Sequence, residues 1–290
     1  MTTLDAVLDG RVPDWELGDE RLDLAAQRRR IRQARLRRTA RKLTGVLILL
    51  VVWEIGALIV ADSTILPSVQ TTAHTFFHYL NRPYPSASDP LWKDVVVSGR
   101  RILEGFLIAV AAGVLIGAVM WNWRSLGDMI DPVIELTRPL PPLAFIPLLI
   151  VWFGVGELPK IVLIIIAVLP IMIVSTVAAL DAVPPELEQC ARTLGASRLY
   201  TLLHVQIRAA MPGIITGMRL SMGGAWTSIV AVEMIAATNG VGFLILQAGN
   251  YLLTSLVMSG IIAIGIVGLT FDALLRGLLR LADPSRAVAE

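Results

Sequence analysis

The stretch from Ile161 to Leu180 reads IVLIIIAVLPIMIVSTVAAL and carries no charged side chain. About 20 apolar residues are what a helix needs to cross the hydrocarbon layer of a bilayer. Once in lipid, such a segment must satisfy its own backbone hydrogen bonds, so it must be a helix or part of a closed barrel. Five other segments are apolar enough to be spans: Leu43–Val60, Ile102–Met120, Leu140–Phe153 with a polar lead-in, Ile214–Ala237 and Leu256–Leu275. Hydrophobic residues make up 55% of the 290, charged residues only 17%, and the mean hydropathy is +0.70. These values exclude an ordinary soluble domain and predict an all-α integral membrane protein with six transmembrane helices.

Charge sets the expected orientation. Eleven of the 25 basic residues precede Leu43, among them Arg28, Arg29, Arg30, Arg32, Arg35, Arg37, Arg38, Arg41 and Lys42. Basic segments stay in the cytoplasm, and an even number of spans puts both termini there. Residues 1–42 are therefore expected to be a cytoplasmic arm, 43–281 the membrane domain and 282–290 a cytoplasmic tail. The polar, Arg-rich start has no apolar core of the kind a cleavable signal peptide carries. Arg124, Arg192, Arg198, Arg208, Arg276, Arg280 and Arg286 fall on the same side, whereas the segment from Ala61 to Val97 carries only Arg82 and Lys93. In that outer segment Val69, Ala73, Phe76, Phe77 and Leu80 share one face of a short amphipathic helix.

Two spans bear small residues at every fourth position: Gly105, Ala109, Gly113 and Gly117 in the second, and Gly213, Gly217, Ser221 and Ala225 in the fifth. Such stripes let helix backbones approach closely in lipid. The third span is interrupted, because Pro139, Pro141 and Pro142 leave too few backbone donors for a regular helix. Irregular backbone at that depth is tolerated beside protein or a water-filled cavity. Glu135 and Arg138 lie three apart beside the break, close enough to pair, and Trp152 and Phe153 suit the outer interface.

The chain has no recognisable chemistry of its own. Its lysines, Lys42, Lys93 and Lys160, are not preceded by glycine, so there is no phosphate-binding loop. GxSxG is missing. Cys190 is the only cysteine, and His74 and His78 lack the company of a metal motif, so no catalytic or metal site is expected. Candidates for a proton relay are limited to Glu54, Glu104, Arg219 and Glu233.

Between spans four and five lies a long polar segment, LEQCARTLGASRLYTLLHVQIRAAMPG, which must meet something in the cytoplasm. It resembles the EAA loop of ABC importer permeases, in which Glu-Ala-Ala is followed by three residues, Gly, nine residues and Ile-x-Leu-Pro. Gly195 matches the glycine, Cys190 and Ala191 the alanines, and Val205 and Ile207 the Ile and Leu. Gln189 replaces the family's Glu and Arg208 its Pro, while Glu186 and Glu188 lie within a turn and Pro212 is kept. DPVIELTRPLPPLAFIPLLIVWFGVGE, AWTSIVAVEMIAATNGVGFLILQAG and SGRRILEGF are similar to the taurine, aliphatic-sulfonate and nitrate branch, nearest to its taurine permeases.

The resemblance implies a type I importer fold with residues 184–212 as the coupling loop. Glu186, Glu188, Gln189, Cys190, Ala191, Gly195, Ala196 and Ser197 would meet the ATPase. It also implies a homodimer, two cytoplasmic ATPase subunits that bind ATP and Mg, and an extracytoplasmic binding protein, in a bacterial cell membrane and without nucleic acid. Small residues at 190, 191, 195 and 196 would let the coupling helix lie in a groove of the ATPase. For the pathway the expected residues are Arg138, beside the proline break, Trp226 and Thr227 in mid-span, and Glu233 nearer the outer end. The substrate class is a small organic anion, with nitrate, bicarbonate or another small solute as the alternative. A stand-alone secondary transporter or channel would leave the coupling loop without a purpose.

Overall fold

A computed structural model describes residues 41, 44–84 and 89–282. The arm apart from Arg41, and the tail apart from Ala282, lie outside the described residues. The chain divides into two units, Met1–Asp62 and Ser63–Glu290. The first contains the apolar helix α1, Thr44–Val60. The second contains α2 (Val69–Leu80), α3 (Leu91–Asn122), α4 (Arg124–Thr137), a 3-10 turn over Pro142–Phe145, α5 (Ile146–Phe153) and α6 (Leu158–Asp181). It continues with α7 (Pro185–Thr193), α8 (Arg198–Thr201), a π turn over Leu202–Gln206, α9 (Ile207–Ala236), α10 (Val241–Asn250) and α11 (Thr254–Ala282).

Helix α6 is the axis of the larger unit, and the two small-residue stripes explain why. A Cβ added at Gly105, Gly113 or Gly117 of α3 would lie 2.8, 2.5 and 2.8 Å from the Cβ of Ile164, Met172 and Thr176. On another face of α6, a Cβ at Gly213 or Gly217 of α9 would lie 2.6 and 2.4 Å from the Cβ of Ala179 and Ser175. Both stripes therefore press against one helix, whose Leu163, Ile164, Val168 and Met172 are fully enclosed. Dispersion between closely approaching backbones holds such a contact, since lipid gives no hydrophobic drive. Gly113→Leu is expected to lower stability by ~1–3 kcal/mol, the usual cost of overpacking. Thermal unfolding in detergent checks this, and an unchanged midpoint would refute the clasp.

The proline break forms as expected. Leu140 N–H still reaches Thr137 O at 3.2 Å, and Ala144 N–H reaches Pro141 O at 3.0 Å, but α4 and the Pro142–Phe153 segment meet at 88°. Pro147 causes no further break because it falls in the first turn of α5. The expected Glu135–Arg138 pair does not form. Helix α4 stops at Thr137, Arg138 caps it, and both side chains stay exposed. Among the described residues three helices (α3, α6 and α11) are long and apolar enough to cross a membrane, and up to five spans result if each of two bent pairs counts as one. The second bent pair is Arg198–Ala236 with α10, at 52°.

Helix α2 forms where the sequence places it, with Ser68 Oγ accepting from Thr71 N–H at 3.1 Å as its cap. Its packed face is turned from the expected one. Thr72 is buried and Phe76, Tyr79 and Leu80 pack toward Leu244 and Leu256, while Ala73 and Phe77 face outward. Large apolar side chains are also exposed along the long helices, among them Leu107, Leu115, Leu220 and Leu269. Such surfaces suit a lipid solvent.

Candidate coupling site and pathway residues

The polar segment after α6 is two helices joined by a glycine turn, and the reason is local. Helix α7 begins at Pro185, whose missing N–H costs nothing in a first turn, with Glu186 and Glu188 favourable beside the positive end of the helix dipole. Helix α7 ends at Thr193, capped by Leu194 and stopped by Gly195, whose φ is +85°. Gly195 N–H donates to Arg192 O at 2.9 Å and Ala196 N–H to Ala191 O at 3.0 Å, the paired bonds of a Schellman stop. Ser197 then caps α8 by accepting from Tyr200 N–H at 3.3 Å. No atom approaches within 4 Å of a Cβ built at Gly195. Backbone conformation, rather than crowding within the chain, is therefore what requires a glycine here.

Most of the expected coupling residues are on the surface. Glu186, Gln189, Cys190, Gly195 and Ser197 are exposed, and Glu188, Ala191 and Ala196 are half-buried. Glu188 is held within the chain, by Arg192 at 2.5 Å and by Gln206 Nε2 at 3.0 Å. The sequence reading did not anticipate the apolar side chains that stand out around these residues. Leu194 is 88% exposed, and Leu187, Leu199, Tyr200 and Leu203 are exposed as well. Leucines in an otherwise polar run are the sequence signal for this exposed apolar patch.

The segment is fastened to the end of α3. Arg198 Nε donates to Asn122 Oδ1 at 2.9 Å, and its Nη2 donates to Asn122 O, at the end of α3. Trp121 Nε1 donates to Asp181 Oδ1 at 2.9 Å, tying the ends of α3 and α6. Beside them is a polar cavity of about 880 Å³, lined by Asn122, Arg124, Asp128, Asp131, Arg192 and Gln206 among others. Arg198 thus links the start of α8 to the end of α3.

The four expected pathway residues are not gathered in one place. Arg138 is exposed at the end of α4. Trp226 and Thr227 lie mid-way along α9. Thr227 is exposed, with Oγ1 on Gly223 O at 3.0 Å, and Trp226 packs edge-on against Phe271 with centroids 6.2 Å apart. Glu233 is 0% exposed, inside a network at the opposite end of the bundle from the coupling segment.

Arg101, itself 1% exposed, is the centre of that network. Its Nε and Nη2 donate to the two oxygens of Glu157 at 2.6 and 2.7 Å, and Nη1 donates to Glu233 Oε1 at 2.7 Å. Asn239 accepts from the same guanidinium through O at 3.0 Å and Oδ1 at 2.6 Å. Glu233 also accepts from Ser98 Oγ at 2.8 Å and Gly242 N–H at 3.0 Å. Asp94 accepts from Tyr84 Oη at 3.0 Å and from Gly240 N–H at 2.7 Å. Gly240 has φ +110°, and a Cβ there would lie 2.4 Å from Glu233 Oε1. Arg101 and Lys160 face three carboxylates, the buried Asp94 and Glu233 and the half-exposed Glu157, and each carboxylate accepts hydrogen bonds from within the network. The network fixes the start of α3, the α5–α6 turn and the α9–α10 turn to one another.

Glu157 lies in that turn, and its carboxyl is held at about 2: Arg101's hydrogen bonds lower it most, burial opposes them and Lys160 adds to them. A lowered folded-state value means that the group's stabilising contribution is complete above its ordinary value near 4.5 and is lost as pH falls through about 2. Wild type is expected to have a higher unfolding midpoint than Glu157→Gln at pH 7, and the gap should close between pH ~4.5 and ~2. A gap that does not change with pH would show that Glu157 acts by packing alone.

Long apolar helices and a polar two-helix segment with exposed leucines are the features that a family assignment must account for. Residues 109–288 match the family described as "Binding-protein-dependent transport system inner membrane component", and the chain belongs to that family. Its members are permeases that work with a separate ATPase and a substrate-binding protein and are not themselves enzymes. The taurine transport system permease protein of Escherichia coli (strain K12) is 35% identical over 83% of this chain and 87% of its own length. The putative aliphatic sulfonates transport permease protein of Bacillus subtilis (strain 168) is 32% identical over 80% of this chain and 83% of its own. The nitrate import permease protein of Synechococcus elongatus is 30% identical, over 82% and 87%. An inward-facing structure of the MetNI methionine ABC transporter covers 72% of this chain and 98% of its own, with a TM-score of 0.56 and 18% identity, and shares the fold.

Proposed function

We propose that this permease imports small sulfonates, taurine or an alkanesulfonate foremost, across a bacterial cell membrane. Two copies assemble about a two-fold axis, which gives a pathway that one bundle alone does not enclose. Each copy meets one cytoplasmic ATPase subunit, which binds ATP and Mg, and an extracytoplasmic binding protein delivers the substrate. Both termini are cytoplasmic, as the Arg-rich start requires. The observation that carries this reading is the exposed, leucine-rimmed segment fastened to α3, which is itself tied to α6. When ATP closes the ATPase pair, the segments move together and α3 moves with them. Hydrolysis reverses the movement, and transport follows from contacts that differ between the two states. The names of the relatives support a sulfonate, and that of the nitrate permease favours nitrate as the second reading.

Arg138 attracts the anion beside the proline break, and Trp226 and Thr227 line its way. Glu233 serves the pathway from behind, by holding the α9–α10 turn through Arg101. Arg138→Ala is expected to lower uptake of labelled taurine per ATP hydrolysed by roughly tenfold, and Arg138→Lys by less, since Lys keeps the charge but loses bidentate geometry. Equal, near-wild-type uptake by both variants would remove Arg138 from the pathway. Failure of the wild-type complex to carry taurine or an alkanesulfonate would overturn the substrate.

A further inference from the structure

A second cluster of charge lies within the length of the helices. Arg219 Nε on α9 donates to Asp272 Oδ1 on α11 at 2.8 Å, and Arg276 Nε donates to Asp272 Oδ2 at 2.8 Å. Arg276 lies one turn nearer the cytoplasmic end of α11, so within the helices Arg219 and Asp272 form an ion pair. Arg219 stands ~18 Å along α9 from Ile207 and ~25 Å from Ala236, and Asp272 ~27 Å along α11 from Thr254 and ~15 Å from Ala282, at 1.5 Å per residue. A hydrocarbon layer of ~30 Å covers those depths. An ionised pair at such depth faces the interior of an assembly or a water-filled cavity, and such residues mark ion and substrate routes.

The protomer does not seal this cluster, since the Arg219 and Asp272 side chains remain 30% and 27% exposed. The surface beside it differs from lipid-facing surface. Arg219, Gly223 and Thr227 follow one another at four-residue spacing, Gly223 has no neighbour within 4 Å of an added Cβ, and Thr227 is exposed. Trp226 lies two turns beyond Arg219 on that side of α9, and helix geometry tilts its side chain back toward Arg219. Its indole N–H is buried and has no hydrogen-bond partner. A buried donor left unpaired costs ~1–3 kcal/mol, a cost that an arriving acceptor removes. Its ring packs on Phe271, the neighbour of Asp272, so the free donor and the ion cluster belong to the same α9–α11 contact.

We propose that Arg219 and the Trp226 indole N–H are successive binding groups for an oxyanion head group, sulfonate or nitrate, on its way through the permease. Asp272 is a positioning residue. It holds the guanidinium and offsets part of its charge, so that the anion is attracted but also released. This inference rests on the reading of the chain as an importer of small anions.

The test uses the permease with its ATPase and binding protein in proteoliposomes and measures uptake of labelled taurine, ethanesulfonate and nitrate per ATP hydrolysed. Arg219→Ala should lower uptake of the carried anion by at least roughly tenfold, with Arg219→Lys intermediate. The charge-neutral double variant Arg219→Ala/Asp272→Ala should recover the thermal stability lost in the single variant but not the uptake. Recovery of half or more of wild-type uptake in the double variant would show Arg219 to be an ion-pair partner only, and so would unchanged uptake in Arg219→Ala. A wild-type complex that carries none of the three anions would overturn the anion reading itself, an outcome read before any variant is made.

Discussion

Arg101→Ala is expected to destabilise the protein by ~3–5 kcal/mol, the cost of leaving a buried charge without its partner. The substitution removes the guanidinium from Glu233, which is fully enclosed, and from Glu157 and Asn239 in two separate turns. Arg101→Lys should recover only a small part, because an ammonium cannot reach three acceptor residues in the planar fork that guanidinium provides. Arg101→Ala/Glu233→Leu, in contrast, should recover much of the loss, since it removes the orphaned charge as well. Thermal unfolding of the detergent-solubilised protein measures all three. A wild-type midpoint for Arg101→Ala would mean that the network does not hold the α9–α10 turn.

The second large effect is expected at Gly195. Gly195→Trp should abolish transport and substrate-stimulated ATP hydrolysis while the permease still inserts, because a large side chain stands on the exposed docking face and its backbone resists φ +85°. Two smaller substitutions separate those causes. Asn tolerates the left-handed region far better than Ala. Gly195→Asn should therefore keep more of the stimulation than Gly195→Ala if the turn matters most. If the fit against the partner matters most, the smaller Ala should keep more. Wild-type stimulation in the Trp variant would remove Gly195 from the coupling face altogether.

How far the sequence reveals these features depends on the distance over which each is determined. The apolar runs at Ile102–Met120, Ile161–Leu180 and Leu256–Leu275 and the proline break at Pro139–Pro142 are local, and each forms where the residues place it. The stripes on α3 and α9 are legible as close-packing surfaces, but nothing local says that both press on α6. The Arg101 network joins residues 132 and 138 positions apart, and hydrophobic periodicity carries no information about such pairings. For that reason Glu233 reads as a pathway carboxylate in the sequence and lies within an enclosed brace in the fold. Helix α2 shows a finer limit. Hydropathy turns Ala73 and Phe77 inward, yet packing buries Thr72, whose methyl group can face a neighbour as an apolar residue would. Asn122 and Arg198 carry no motif at all, and their role emerges only once α3 and the coupling segment meet.

If an ATPase drives this permease through the segment around α7, the chain supplies its own probe of the contact. Cys190 is its only cysteine, and it is exposed on α7. The most direct measurement is the rate of maleimide labelling of Cys190 in the purified permease, alone and assembled with its ATPase subunit. Fast labelling alone, slowed at least roughly tenfold in the complex, is the predicted result. Equal rates in the two preparations would contradict it.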